Sequence, residues 1–261
     1  MKSYVVITGA SSGLGKAISV AYARQGRNLL LISMPNSGLP QLSRQLQEVY
    51  HVDVVHFVCD LSSVEMVNCL CKESLQQYDI DCLVNNVGIG GSGSFLEASL
   101  SSLYLMIDLN LKASLTLTYS LLPQLLKHRK SQVINVSSIA GVVPVAYKTI
   151  YPACKSFIRA FSLSLHEEFK ERGVSVSTVF PGPMVTNTHT TERIVKQGFK
   201  ARLSLCSTTD VAGYILQETS ASSLQIVPGI FNRIQFNLAQ LLPERLVSKW
   251  ISRTIKNELV A

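Results

Sequence analysis

Apolar residues recur along this chain in two alternating patterns, short unbroken runs and longer stretches at helical spacing. The runs fall at residues 4–8 (YVVIT), 28–32 (NLLLI), 52–58, 81–85 (DCLVN), 132–136, 174–180 and 225–227. Runs of this length without polar alternation predict strands covered on both faces. Between them the helical period predicts helices from the glycines after residue 8 through Gly26, at 41–50, from 62, at 99–127, at 151–172 and at 209–220. Gly173 stops the fifth of these, and Ser207 or Thr208 caps the sixth. Strands alternating with helices predict a parallel sheet with right-handed crossovers. The pattern lapses after residue 185: a polar, aperiodic segment at about 183–207 has the length and composition of a lid. Residues 231–259 contain LLPERLVSKWISRTIK, an amphipathic basic helix carrying the only Trp. With no repeat or break in composition, one domain spanning 1–261 is expected, ending in an amphipathic extension at about 230–261.

Composition narrows the picture. The chain is 47% apolar and 16% charged, which excludes disorder. Its net charge of +7 is spread, with no basic arm of the kind that binds nucleic acid, and it suits an anionic cofactor. None of the six cysteines has zinc-ligand spacing, and Cys69-x-Cys71 lacks partners, so no metal site is expected and the thiols read as reduced. No targeting segment precedes the first apolar run, and no run reaches the ~18 apolar residues that span a bilayer, so the expected location is cytoplasmic.

Three places carry candidate chemistry. The first is the turn between the first strand and the first helix, with Gly9, Ser11, Ser12, Gly13, Leu14 and Gly15. Glycines there permit a tight turn and close approach of a pyrophosphate, whose charge meets the helix N-terminus. A glycine-rich turn without a ligand has the same spacing. Together with the strand–helix alternation, it predicts an α/β, Rossmann-type doubly wound sandwich around a central, mostly parallel seven-stranded sheet. The second place is the end of the second strand, Ser33-Met34-Pro35-Asn36. It lacks the acid that binds a ribose 2′-hydroxyl, so NADP is preferred to NAD, although no arginine offers itself to a 2′-phosphate. Asp60, before Leu61, either receives an adenine amino group or caps the helix from residue 62. The third place is the stretch 137–155. Tyr151 and Lys155 are four apart and share a helix face, with Ser138 upstream across a loop. An ammonium beside a phenol is expected to lower the phenol's pKa from ~10 toward working pH, letting it exchange a proton with a carbonyl or alcohol oxygen. The same spacing also describes a ring packed on a lysine stem. Asn110, inside an apolar helix, is a satisfied core amide or a site residue.

Taken together, these residues resemble the short-chain dehydrogenase/reductase family over about residues 2–227. Residues 8–15 look like its cofactor loop, and Asn85-Asn86-Val87-Gly88 is similar to its Asn-Asn-Ala-Gly stretch, with Val87 in place of Ala. Asn110, Ser138, Tyr151 and Lys155 fall where the family keeps its catalytic residues, and Pro181-Gly182 followed by Thr186 resembles the segment over the nicotinamide. The resemblance implies Tyr151 as general acid in reduction and base in oxidation. Lys155 lowers the phenol's pKa and binds the nicotinamide ribose, Ser138 orients the substrate oxygen, and Asn110 supports a water in a proton relay. It also implies cofactor contacts from the glycine loop, Ser33, Asp60, Leu61, Asn86, Val87, Gly88, Tyr151, Lys155, Pro181, Gly182 and Thr186. Ser137 would face the cofactor or finish the strand. Apolar Ile89, Val142, Val143, Val145, Met184, Val185, Ile194 and Phe199 point to a hydrophobic ketone, acyl carbonyl or secondary alcohol as substrate. A homodimer or homotetramer is implied through the long fifth and sixth helices. The apolar face of the C-terminal helix would rest on the domain or a partner subunit, or else meet a membrane surface. A dinucleotide sensor without turnover is the alternative function; the intact Ser138/Tyr151/Lys155 set argues against it.

Overall fold

A computed structural model describes residues 2–185 and 204–260. In chain order the elements are β1 (Tyr4–Thr8), α1 (Gly13–Arg24), β2 (Asn28–Ser33), α2 (Leu39–Tyr50), β3 (Val54–Val58), α3 (Val64–Cys69), β4 (Ile80–Asn85), α4 (Leu100–Ile107) and α5 (Ala113–Leu125). Then follow β5 (Ser131–Val136), α6 (Ile150–Phe169), β6 (Val174–Val179), β7 (Met184–Val185), β8 (Cys206–Ser207), α7 (Thr208–Ser220), β9 (Gln225–Ile226), α8 (Ile230–Leu241) and α9 (Glu244–Val260). Seven strands form one parallel sheet in the order β3-β2-β1-β4-β5-β6-β9.

The unbroken apolar runs are explained by what covers each face. In β1, Val5 and Ile7 enter one core with Leu29 and Leu31 of β2 and with residues of α1, α2 and α7. Tyr4 and Val6 enter the other, with Leu30, Ile32 and residues of α3 and α5. Each alternate residue is thus buried, so neither face could be polar. Gly173, at φ +85°, ends the turn that follows α6 in the left-handed conformation, as its position predicts.

Two elements differ from expectation. The helix expected over 99–127 is interrupted: a π turn at Asp108–Lys112 separates α4 from α5. The Asn110 amide donates to the Met106 carbonyl at 2.8 Å, an acceptor that an α turn reserves for a backbone N–H, and the ladder widens around it. The C-terminal extension is not one helix but a pair, α8 and α9, joined at Leu242–Pro243. Most of the proposed lid, including Thr186, Ile194 and Phe199, lies outside the described residues; its flanks are held together by parallel pairing of β7 with β8.

Candidate active site

β1 pairs with β2 on one side and β4 on the other, and the chain winds in opposite senses from this point. A crevice therefore opens beyond the carboxyl ends of β1 and β4. The glycine turn fills its floor. Gly9 and Gly13 have φ of +63° and +53°, in the region that favours glycine. A Cβ on Gly15 would lie 2.1 Å from the Gly9 carbonyl and 2.6 Å from Asn86 Nδ2, so only glycine allows the turn to close onto the β4 loop. Ser12 stands at the N-cap of α1 without making a side-chain cap bond, and the first turn has no acidic residue. The amides and positive dipole end of α1 thus await an anion, as a dinucleotide pyrophosphate would supply.

Around this turn the structure places several predicted contact residues in bracing roles. Asn86 Nδ2 donates to the Thr8 carbonyl at 2.9 Å, and the Asn86 and Val87 amides donate to Thr8 Oγ1 at 2.9 and 3.0 Å. Ser33, buried, shares a 2.7 Å hydrogen bond with Ser11 and so ties the end of β2 to the glycine turn. Asp60 Oδ1 accepts from the amide and hydroxyl of Ser62 at 2.9 and 2.7 Å, which braces the end of β3, while the N-cap of α3 is Ser63 and not Asp60. Leu61 is buried in the core.

The Ser138, Tyr151, Lys155 and Asn110 side chains converge at the ends of β4 and β5. Ser138 follows β5, accepts from the Ala140 amide at 3.1 Å and lies close enough to the Tyr151 hydroxyl to oppose the rise of its pKa. The Tyr151 ring lies against Gly90, where a Cβ would sit 3.4 Å from Cδ2 and Cε2. Lys155 is buried; its Nζ donates to the Val136 carbonyl at 2.9 Å and stands 5.8 Å from the Tyr151 ring centroid. No carboxylate pairs with it among the described residues. Gly88 sits between them: a Cβ there would lie 2.4 Å from Asn110 Oδ1 and 3.2 Å from Lys155 Nζ. Asn110 Nδ2 is committed to the carbonyls of Ile89 and Met106 at 2.7 and 2.8 Å, which fixes its orientation and leaves Oδ1 buried without a partner.

The electrostatics correct one expectation. Tyr151 was expected to be made acidic by Lys155, but burial pushes its phenol above the ordinary value; the Ser138 hydroxyl is what opposes this. Burial also pulls Lys155 down to about 8. Desolvation acts on both groups against their charged forms and is the largest influence on each.

Four supports have no obvious sequence signal. Ser137 faces neither crevice nor solvent: its hydroxyl donates to the Lys155 carbonyl at 2.7 Å and locks β5 to α6. Asn85 donates to Thr118 and Asn135 at 2.9 and 2.8 Å, and Asn135 donates to Ser162 at 2.9 Å, joining α5, β4, β5 and α6 behind the site. Asn232 of α8 is buried and donates to the carbonyls of Ser204 and Pro228 at 3.1 and 3.0 Å, with its Oδ1 2.3 Å from where a Gly182 Cβ would be. It fixes where the chain leaves the sheet, at Pro181-Gly182, and where it returns. Of the residues expected to line a substrate, Ile89 is exposed, Val143 and Val145 are buried, and Val142 packs against the Phe180–Phe236 cluster. Met184 packs against the core beside α7.

A doubly wound sheet, a bare helix N-terminus over a glycine turn, and a Ser–Tyr pair beside a buried lysine define a nucleotide-dependent oxidoreductase. Comparison with known proteins agrees. The family described as short chain dehydrogenase matches residues 3–197, and the chain belongs to it. It is an NAD(P)-dependent oxidoreductase acting between C=O and CH–OH groups. The chain is similar to hydroxysteroid dehydrogenase-like protein 1 of Gallus gallus, with 29% identity over 98% of this chain and 77% of that one. It is similar to the very-long-chain 3-oxoacyl-CoA reductase of Homo sapiens, with 30% identity over 90% of this chain and 79% of that one. Among solved structures it resembles a short-chain dehydrogenase from Sphingobium yanoikuyae in complex with NADPH, at 25% identity and a TM-score of 0.78 over 94% and 95% of the two chains.

Proposed function

We propose that this protein reduces the carbonyl of a hydrophobic ketone or acyl substrate with NADPH, or oxidises the matching secondary alcohol, using Tyr151 as the proton-transfer residue. The observation that carries this reading is the convergence of Ser138 and Tyr151 beside a buried Lys155 that no carboxylate among the described residues neutralises. When bound, the nicotinamide supplies and accepts the hydride. Gly9 to Gly15 and the N-terminus of α1 would hold the pyrophosphate, and Val87, Gly88 and Pro181 would border the nicotinamide end. Asn86 acts on the cofactor by holding the glycine turn.

Tyr151 keeps its proton at neutral pH and can donate it to a carbonyl oxygen held by Ser138. Lys155 places positive charge beside that oxygen as the phenol gives up its proton, and it offers donors to a ribose hydroxyl. Asn110 Oδ1, unpartnered and facing the same gap at Gly88 as Lys155 Nζ, suits a water that returns a proton to the lysine.

NADP preference is supported by the end of β2, where buried Ser33 and unpartnered Ser37 Oγ stand and no acid repels a 2′-phosphate. The names of the relatives, a hydroxysteroid dehydrogenase-like protein and a long-chain acyl reductase, support a hydrophobic substrate. A homo-oligomer through α4, α5 and α6 is supported by exposed Tyr104, Leu115, Tyr119 and Phe157. Six free cysteines support a reducing compartment.

The test is NADPH oxidation, followed by absorbance, against steroid ketones and 3-oxoacyl thioesters. Tyr151→Phe should lose ~10²-fold or more in kcat while still binding NADPH in a fluorescence titration. Retained turnover rejects Tyr151 as the acid, and no turnover by the wild type on any carbonyl returns the protein to the sensor class.

A further inference from the structure

We propose that the outer face of the α8–α9 helix pair docks on an anionic lipid surface. The pair is anchored on its inner side. Asn232 and Phe236 of α8 are buried, and Phe236 packs against Phe180 at a ring separation of 4.7 Å. Ile255 of α9 is buried, and Ser252 accepts from the Ala146 amide at 2.9 Å. With that side committed, the opposite side turns a continuous apolar stripe outward: Phe231, Ile234, Leu238 and Leu241 on α8, then Leu246 and Trp250 on α9. The α8 members are three and four residues apart, one turn after another. Leu241 is 81% exposed and Trp250 62%, far beyond scattered surface apolar residues.

Charge identifies the occupant. Lys249, Arg253 and Lys256 share the outer face of α9 with Leu246 and Trp250, and Arg245 stands beside them; between residues 230 and 256 the single acid is Glu244. A second copy would bring the same positive face against this one. Acidic headgroups instead complement the cations, whose stems lie along the apolar stripe while their charges reach outward, and an indole suits the boundary between water and acyl chains. No described helix is long and apolar enough to cross a membrane, so the docking is lateral. The pair is bonded to the loop after Ser138 through Ala146 and packs closely against Gly182 through Asn232, so a docked protein holds its catalytic loop beside the bilayer.

Trp250, the only tryptophan, reports on this face directly. Adding vesicles of phosphatidylcholine with phosphatidylserine to the full chain should shift its emission to shorter wavelength and carry the protein down on centrifugation. Phosphatidylcholine alone, or high salt, should weaken binding by about tenfold. Lys249→Glu with Arg253→Glu should reduce binding to the acidic vesicles at least as much, and Leu238→Glu should abolish it, with far-ultraviolet circular dichroism unchanged. An emission spectrum of the wild type that acidic vesicles leave unmoved overturns the proposal, and so does a solution dimer that Leu238→Glu dissociates. Neither readout requires turnover, so a failure here is separate from a failure of the oxidoreductase reading.

Discussion

Lys155 is a cation held where a cation is disfavoured. Burial lowers its value from 10.5 to about 8, which corresponds to about 3 kcal/mol against the charged form at pH 7. Between those two pH values the unfolded chain binds more protons than the folded one, so this lysine makes stability rise with pH across that window, and its penalty is fully present below it. Lys155→Met forfeits the bond to the Val136 carbonyl, worth about 1 kcal/mol. The variant should therefore unfold with roughly 2 kcal/mol more stability than the wild type at pH 7, an advantage that fades toward pH 10, while losing turnover. Denaturant unfolding at both pH values checks this, and a variant less stable at pH 7 rejects it. Ser138 supplies a second readout. Its hydroxyl lowers the Tyr151 value, so Ser138→Ala should move the alkaline limb of reductive kcat/KM to higher pH as well as reduce the rate. A role confined to capping Ala140 would leave the limb in place. The spacing of Tyr151 and Lys155 announced this chemistry, but not the sign of the phenol's shift. That sign depends on how much water the two side chains lose, a property of the packed loop and not of their separation in sequence.

At the scale of elements, the strand–helix alternation was legible because each strand is buried on two faces and must be apolar throughout. The π turn at Asp108–Lys112 was not: one widened turn leaves the apolar period of its flanks almost intact, and the cause, Asn110 reaching the Ile89 and Met106 carbonyls, includes a partner 21 residues away. The same holds for Ser137, whose acceptor is a backbone carbonyl, and for Asn232, two of whose three acceptors are backbone carbonyls of no particular residue type, the third being Cys206 Sγ. Asn232 nevertheless carries a testable load. Asn232→Ala would strand the buried Ser204 and Pro228 carbonyls at a cost of about 2 kcal/mol, or roughly 5 °C in Tm. Because the clasp secures the pairing of Met184 with Cys206, hydrogen exchange at the Cys206 amide, which donates to the Pro183 carbonyl, should accelerate more than exchange in β5. Equal acceleration in both would make Asn232 an ordinary core residue.

The whole molecule presents two apolar surfaces that differ in charge and so in partner. On α4 and α5, exposed Tyr104, Leu115 and Tyr119 lie beside Phe157 of α6, whose ring stacks on Phe161 at 5.7 Å. Lys112, the cation between them, is neutralised by Asp108 at 2.7 Å, so this surface carries no unbalanced field against a second copy. The α8–α9 surface does, through Lys249, Arg253 and Lys256. Self-association should therefore use the first surface and lipid the second. Tyr119 is 81% exposed, and in a two-fold pairing of α5 with α5 it would be buried against its own partner. Tyr119→Glu with Leu115→Glu should place two like charges on each side of such an interface, costing several kcal/mol and converting the oligomer to monomer in sedimentation equilibrium. The α8–α9 variant Leu238→Glu should leave the oligomer intact. An oligomer that survives the first pair of substitutions must be built on other helices, because no interface centred on α5 can bury four glutamates without partners.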